Sequence, residues 1–439
     1  MVTLGRCHLM LAALAALALV VTSCAPAAPP AATPAATTPA AAAPTPAGPP
    51  APKSIKIGAT LAVTGPFAPE WGPPMLDFMK KWAETVNAEG GVTLKGHGNA
   101  KVPIELLVVD DESKPDKSVE LYEKFATVDK VDVFLGPSTS PISIAASTVA
   151  DKHGIPMVGC EVNDTAAFTR GLKWFVGVLE LGVPWSETYF DLVKTSNAQG
   201  KTSYKTVGIV ISDRAHTLDV GKGAKEFAEK AGLRVVETQT VPFNTTDFSA
   251  VIPKLRSADP DIVFLALWPA EANAFIKQAE ELKLKPRELY SRFLGEGFIQ
   301  GVGAKLAEGV VGATYNAKKW FAGTRAEKVF NALKVDPYSL AWGAIKFTCL
   351  EALVTAIQDT GTVDRAKVMA TLLGYTKDKP IKAIFGPLYF SPGVKVGDKE
   401  ANGFGTQKPV VMQIQGGKAF VVWPQAIQDA SHKQTARPY

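Results

Sequence analysis

The residue patterns that most often carry catalysis fail on their spacing. His8, His97, His153, His216 and His432 are the five histidines of the chain, and they form no HExxH and no pair at helical spacing, so a zinc hydrolase would have no ligand set. Gly200-Lys201-Thr202 matches the end of a phosphate-binding loop, but Thr195 stands where the earlier glycine of the cradle is needed. Gly295-Glu296-Gly297 with Gly301 misses the dinucleotide spacing, and Gly136-Pro137-Ser138-Thr139-Ser140 ends in Ser where a nucleophile elbow needs Gly. Cys7, Cys24, Cys160 and Cys349 make neither a CxxC pair nor a dense disulfide framework. No enzyme, metal or cofactor is expected. In an oxidising compartment Cys160 and Cys349 are available to pair if the fold brings them within reach.

Composition narrows the class further. The chain has 439 residues, 46% hydrophobic and 20% charged, enough for two domains with separate cores. The formal charge of +5 is spread without a basic run, so nucleic acid is not an expected partner. Arg6 precedes the thirteen-residue apolar run Leu9–Val21, which suits a signal peptide and falls short of the roughly 20 residues of a membrane span. Ala25–Pro52 holds ten prolines among Ala, Thr and a single Gly, a composition that cannot form a core and favours an extended tether. The most apolar later run, Ile262–Ala270, is bounded by Asp261 and Glu271 and reads as a buried strand running into a turn.

The elements that must position any site alternate between strand and helix. Ile55–Val63, Ile104–Val109, Val131–Leu135 and Pro156–Val158 read as strands, with helices over Met75–Glu89, Val119–Val128 and Ile142–His153 between them. A second series places strands at Thr206–Ser212, Leu233–Thr240, Ile262–Leu267 and Leu289–Leu294, with helices near Val220–Ala231, Phe248–Arg256 and Ala270–Leu284. In the last of these Ala272, Phe275, Ile276, Ala279 and Leu282 share one face. Helices over Ala326–Leu333, Tyr338–Gln358 and Arg365–Leu373 then give way to strand-like Ile384–Phe390 and Val410–Ile414. Such alternation predicts two α/β lobes with parallel sheets, and ligands of such sheets bind beyond the carboxyl ends of the strands.

Several segments in order resemble the type I periplasmic binding proteins of ABC transporters, in the leucine/isoleucine/valine-binding branch. They are IKIGATLAVTGPFAPEWG (55–72), NAEGGV (87–92), VVDDESKPDKSVE (108–120), VDVFLGPSTS (131–140), KHGIPMV (152–158), TTDFSAVIPKLRSADPDIVFL (245–265) and GPLYFSPGV (386–394). The resemblance covers about 54–422 and implies two Rossmann-like three-layer lobes joined by a three-segment hinge. It places lobe 1 at 53–179 and 312–386, lobe 2 at 180–311 and 387–430, and a tail at 431–439. Val21-Thr22-Ser23-Cys24 resembles a lipobox, which implies a leader of 1–23 and a tether of 24–52 starting at a lipidated Cys24.

Residue by residue, the resemblance implies that Ser140, with Ser138 and Thr139 beside it, holds a ligand carboxylate. Pro141 suits a helix start whose free amides would face the anion. Glu296 matches the partner of a ligand ammonium, Trp71 the aromatic that closes over the side-chain pocket, and Trp268 a second aromatic from the other lobe. The sequence departs from the family pattern at Gly159–Thr165, where Asn163 and Asp164 bring longer polar groups to the ammonium corner. It departs again at Thr217, where a tyrosine is usual, and at Ser113 and Thr139, near the places of the family's first-lobe disulfide. These features imply an exported, lipid-anchored, monomeric solute receptor facing the periplasm or cell exterior. It would deliver a branched-chain or related amino acid to ABC permease subunits. An amide or an aromatic or other organic acid is the alternative ligand, and signalling the alternative to transport.

Overall fold

The computed structural model describes residues 49–433, apart from Ala341 and the side chain of Glu296; the leader, Cys24, most of the tether and residues 434–439 lie outside the described residues. The β-branched runs form two sheets. The first has six strands in the order Phe404–Gln407, Phe175–Leu179, Met157–Gly159, Val133–Leu135, Ile55–Leu61 and Ile104–Asp110, all parallel. The second has seven, in the order Lys418–Trp423, Val410–Gln415, Val311–Thr314, Glu288–Ser291, Ile262–Ala266, Thr206–Ser212 and Arg234–Val241. Its first two strands run antiparallel to their neighbours and the rest are parallel. Strand order reverses at Ile55–Leu61 in one sheet and at Thr206–Ser212 in the other, so the loops that leave these strands and their neighbours diverge and open a crevice at each carboxyl edge.

Three segments cross between the sheets, after Leu179, after Thr314 and after Gln407. The expected lobe division at 386/387 is therefore displaced. The short polar strand Phe404–Gln407, which has no apolar run to announce it, pairs with Phe175–Leu179 and keeps the chain in the first lobe until Lys408. Val311–Thr314, expected to begin the return to lobe 1, belongs to the second sheet. Ile384–Phe390 is not one strand but part of a hairpin, Ile381–Ala383 against Gly386–Leu388, because Gly386 turns the chain at φ 113°. The expected tail begins as fixed structure. Gln415 Nε2 donates to the Ser431 carbonyl at 2.9 Å, and His432 Nε2 lies 2.8 Å from the buried Glu288 carboxylate.

The two lobes do not have separate cores. One apolar cluster runs from Trp71 and Trp82 of the first lobe through Trp342 to Tyr189 and Phe264 of the second, with two further clusters each centred on one sheet. Cys160 and Cys349 are buried free thiols. Among the described residues no helix is long and apolar enough to cross a membrane, and no group of three or more His, Cys, Asp or Glu is placed to hold a metal ion.

One close approach sets the second lobe's side of the crevice. A Cβ on Gly223, in the helix Ala215–Lys230, would lie 1.8 Å from the Val183 carbonyl oxygen, so only glycine lets this helix reach the turn Val183–Ser186. Gly223→Ala is expected to destabilise the protein by about 1–3 kcal/mol through overpacking. Denaturant unfolding checks this, and an unchanged midpoint would show that the helix and turn can separate freely.

Candidate functional site

Loops at the carboxyl ends of the strands carry the side chains that meet between the lobes. In the first lobe Asp110 Oδ1 accepts from the Val63 and Thr64 amides at 3.0 and 3.2 Å, which fixes the loop leading to Trp71. In the second, Glu271 holds three loops at once. Its Oε2 accepts from the Trp268 amide at 2.9 Å, and its Oε1 accepts from Ser212 Oγ at 2.9 Å and the Asn244 amide at 2.7 Å. Arg292 follows the strand Glu288–Ser291 directly, with its amide donating to the Leu265 carbonyl at 3.1 Å.

These loops enclose a narrow aromatic cavity. Trp71, Thr139, Ser140, Glu161, Asn163 and Leu179 line it from the first lobe, and Trp185, His216, Trp268, Arg292 and Phe293 from the second, with Trp342 at the crossing. Trp71 stacks on Trp342 with centroids 5.6 Å apart, and Phe293 meets Trp342 edge-on at 5.6 Å. The rings leave about 10 Å³ among them, room for a single water molecule, so a solute enters only as rings or lobes move apart.

The polar atoms on these walls are mostly donors without acceptors. Seven of them, Trp71 Nε1, Thr139 Oγ1, Glu161 Oε1, Asn163 Nδ2, His216 Nδ1, Trp268 Nε1 and Arg292 Nη2, are buried without a well-formed hydrogen bond among the described residues, although Trp71 and Glu161 are close enough to interact. Buried polar groups are nearly always paired, so this concentration makes the cavity the candidate site for a polar ligand. Arg292 dominates it. The guanidinium is 1% exposed, lies 3.3 Å from the Phe293 centroid and 4.5 Å from the Trp268 centroid, and donates through Nε to the Leu267 carbonyl at 3.4 Å. Burial presses its pKa down to about 9, with the negative charge of Glu70 opposing, so it remains cationic at neutral pH. Burial, and then Arg292, hold His216 well below its usual range, leaving a neutral imidazole.

Glu161 is the carboxylate on the cavity wall. Its Oε2 is 2.8 Å from the Lys346 ammonium, a pair at 1% and 0% exposure, and burial pushes the Glu161 carboxyl up to about 7 against the attraction of Lys346. Ser140 Oγ accepts from the Asn163 amide at 3.3 Å, which leaves the hydroxyl proton free to donate. Thr139, not Ser140, occupies the cap position of the helix Ser140–His153.

Of the residues expected from sequence, Trp71, Thr139, Ser140, Asn163 and Trp268 meet in this cavity, and three do not. Ser138 Oγ accepts from the Ala62 amide at 2.9 Å and serves the loop after the first strand. Asp164 caps the short helix Thr165–Phe168, accepting from the Ala166 amide at 2.6 Å. Thr217 donates to the Ser212 carbonyl at 2.8 Å and turns away, so its neighbour His216 takes the place on the wall. The side chain of Glu296 lies outside the described residues. The sequence reading missed Glu161, Leu179, Trp185, His216, Arg292, Phe293 and Trp342. Only the arginine carried a signal, as a lone cation inside the expected strand Leu289–Leu294.

Comparisons with known proteins agree with this architecture. A family model described as periplasmic binding protein matches residues 54–418. Leu/Ile/Val-binding protein homolog 7 of Brucella suis is 25% identical over 276 residues, 61% of this chain and 65% of that protein, so the chain spans about two thirds of its length. A branched-chain amino acid transporter substrate-binding protein from Streptococcus pneumoniae, solved with isoleucine, superposes with a TM-score of 0.67 at 19% identity, covering 84% of this chain and 98% of that one. A solute-binding protein of an ABC transporter from R. palustris, solved with benzoate, gives 0.66 at 18% identity, covering 88% and 100%.

Burial raises three carboxyls near the crevice and hinge, Glu70 to about 7, Glu161 to about 7 and Glu180 to about 8. Each binds its proton more tightly folded than unfolded, where a glutamate titrates near ~4.3, so stability falls as pH rises from that value to their folded values and levels off above them. His216 acts oppositely, but only below about 6.5. Above the range where His216 opposes it, the unfolding midpoint is expected to fall between about pH 6.5 and 8 and then level off, and Glu180→Gln to remove most of the fall above about pH 7. Chemical denaturation at a series of pH values measures it, and a flat or rising profile would be inconsistent with these buried acids.

Proposed function

The chain belongs to the periplasmic binding protein family, a solute-binding and non-catalytic type, and from that premise we propose that it closes its lobes over a small aromatic or related organic acid. One observation carries this reading: Arg292 is buried among indole and phenyl rings with Nη2 unpaired, beside further unpaired donors on Trp71, Asn163 and Trp268. A cation held this way is best compensated by a carboxylate, and flat rings are natural neighbours for a flat ligand. The benzoate complex of the R. palustris protein supports the same ligand chemistry.

A branched-chain or other amino acid is the second reading, favoured by Glu161 Oε1, the unpaired carboxylate oxygen on the cavity wall, as the acceptor for an ammonium. The isoleucine complex of the S. pneumoniae protein supports it. In either case the bound solute bridges both lobes and favours the closed form by its differential affinity. The family supports delivery to ABC permease subunits, and the N-terminal sequence supports export by the leader and anchoring through lipid on Cys24. Ligand sensing is the alternative use of the same closure.

Isothermal titration of the protein with benzoate, hydroxylated benzoates, isoleucine and an amide separates these readings. Arg292→Gln is expected to weaken a carboxylate ligand by roughly 10- to 100-fold, the loss of a charge-assisted hydrogen bond. Glu161→Gln should leave an aromatic acid nearly unaffected and weaken an amino acid strongly. Tight isoleucine binding that depends on Glu161, with no response to aromatic acids, would replace the first reading with the second.

A further inference from the structure

Beside the aromatic cavity a polar contact joins the two lobes directly. Asp219, in the second-lobe helix Ala215–Lys230, accepts through one oxygen, Oδ2, from both the Thr165 amide at 2.9 Å and the Thr165 hydroxyl at 2.8 Å. Thr165 opens the short first-lobe helix Thr165–Phe168. Asp219 stands three residues after His216, close to it on one helix face, and Thr165 stands two residues after Asn163. His216 and Asn163 are both in the cavity wall, from opposite lobes. Each half of the contact is therefore carried on the same short stretch of backbone as a residue that lines the cavity.

The first crossing makes room for this contact. A Cβ on Gly182 would lie 2.9 Å from the Asp219 Cβ and 3.1 Å from the Asn163 carbonyl oxygen, whereas carbon atoms pack at about 3.5–4.0 Å. Gly182 has φ −67° and ψ −29°, which any residue adopts, so the lack of a side chain and not the backbone conformation is what the position uses. Charge opposes the contact. Asp164, next to Thr165, is pushed up to about 6 by burial and then by the Asp219 carboxylate. The two donors of Thr165 hold Asp219 in place against that repulsion.

We propose that Asp219 is a positioning residue for closure: its two bonds to Thr165 form a latch between the lobes, made as His216 and Asn163 come together around the solute and broken as they part. The inference rests on the proposed closure of the lobes and is independent of the choice between an aromatic acid and an amino acid. A bond made only after the lobes meet does not speed encounter, so the latch acts on release of the solute rather than on its capture.

Small-angle X-ray scattering of the protein, ligand-free and with saturating benzoate or isoleucine, reads the radius of gyration, and stopped-flow kinetics read association and release of whichever acid binds. Asp219→Ala is expected to raise the radius in at least one of these states and to speed release about tenfold or more with association nearly unchanged, the loss of charge-assisted bonds. Gly182→Ala, which adds one methyl group, should do the same by blocking the approach of Asp219. Asp219→Asn keeps an acceptor oxygen and removes the repulsion with Asp164, and should release within about threefold of the wild type. Unfolding midpoints of the variants show that the lobes still fold. Asp219→Ala that matches the wild type in every state, or Asp219→Asn that matches Asp219→Ala, overturns the latch, and a wild-type radius that shrinks with either acid then leaves the closure reading standing. A wild-type radius that shrinks with neither acid counts against the closure reading, and the ligand-free comparison of wild type with Asp219→Ala then decides the latch alone.

Discussion

A guanidinium that is 1% exposed must find negative charge nearby, and the arrangement around Arg292 follows from that constraint. The chain gives it no ion pair within contact distance among the described residues. Glu70 attracts it electrostatically from the opposite lobe, Glu271 from its own, and the Phe293 and Trp268 rings offer their faces. Glu70 is itself raised toward neutrality by burial. The compensation is therefore partial and spread over both lobes, which is what a site for an anionic solute requires. A full internal salt bridge would close the lobes equally well with or without ligand, and a ligand shifts a conformational equilibrium only by the difference in its affinity for the two forms.

The aromatic residues do the complementary work. Trp71, Trp342, Trp185 and Trp268 connect the cores of the two lobes into one apolar cluster, so closure buries indole faces as well as polar groups. Their nitrogens divide into two kinds. Trp342 Nε1 donates to Glu70 and Trp185 Nε1 to Tyr290, whereas those of Trp71 and Trp268 are unpaired. The first pair is structural, holding rings in place across the crossing and the second lobe. The second pair lines the cavity. Shape and polarity are thus set by the same side chains.

The sequence made the two-lobe α/β plan legible because β-branched runs and amphipathic helices alternate with turn residues between them. Five of the nine expected site residues, Trp71, Thr139, Ser140, Asn163 and Trp268, reach the cavity; the family resemblance named them, while the pattern located only the strands whose carboxyl ends lead to them. What escaped is instructive. Thr217 and His216 are neighbours on a helix, where one position rotates a side chain by about 100° and decides which of them faces the cavity. Trp185 and Trp342 lie near crossing segments whose path depends on both sheets together. Arg292 sits where a strand ends, and only the packing of two lobes shows that this cation is buried.

The displaced lobe boundary has the same origin and bears on the hinge. Phe404–Gln407 has too few apolar residues to signal a strand, yet pairing with Phe175–Leu179 brings Lys408 beside Glu180 and Glu187 at the two adjacent crossings. Glu180, buried and raised to about 8, also bears electrostatically on Tyr315 at the third crossing, whose hydroxyl is unpartnered among the described residues. The three connections are thus not bare linkers but a small cluster of polar groups under the aromatic cavity, with Leu179 in the wall of one and at the end of the other. Moving the lobes must rearrange that cluster, and the energy of opening is set there as well as by the solute and the rings above it.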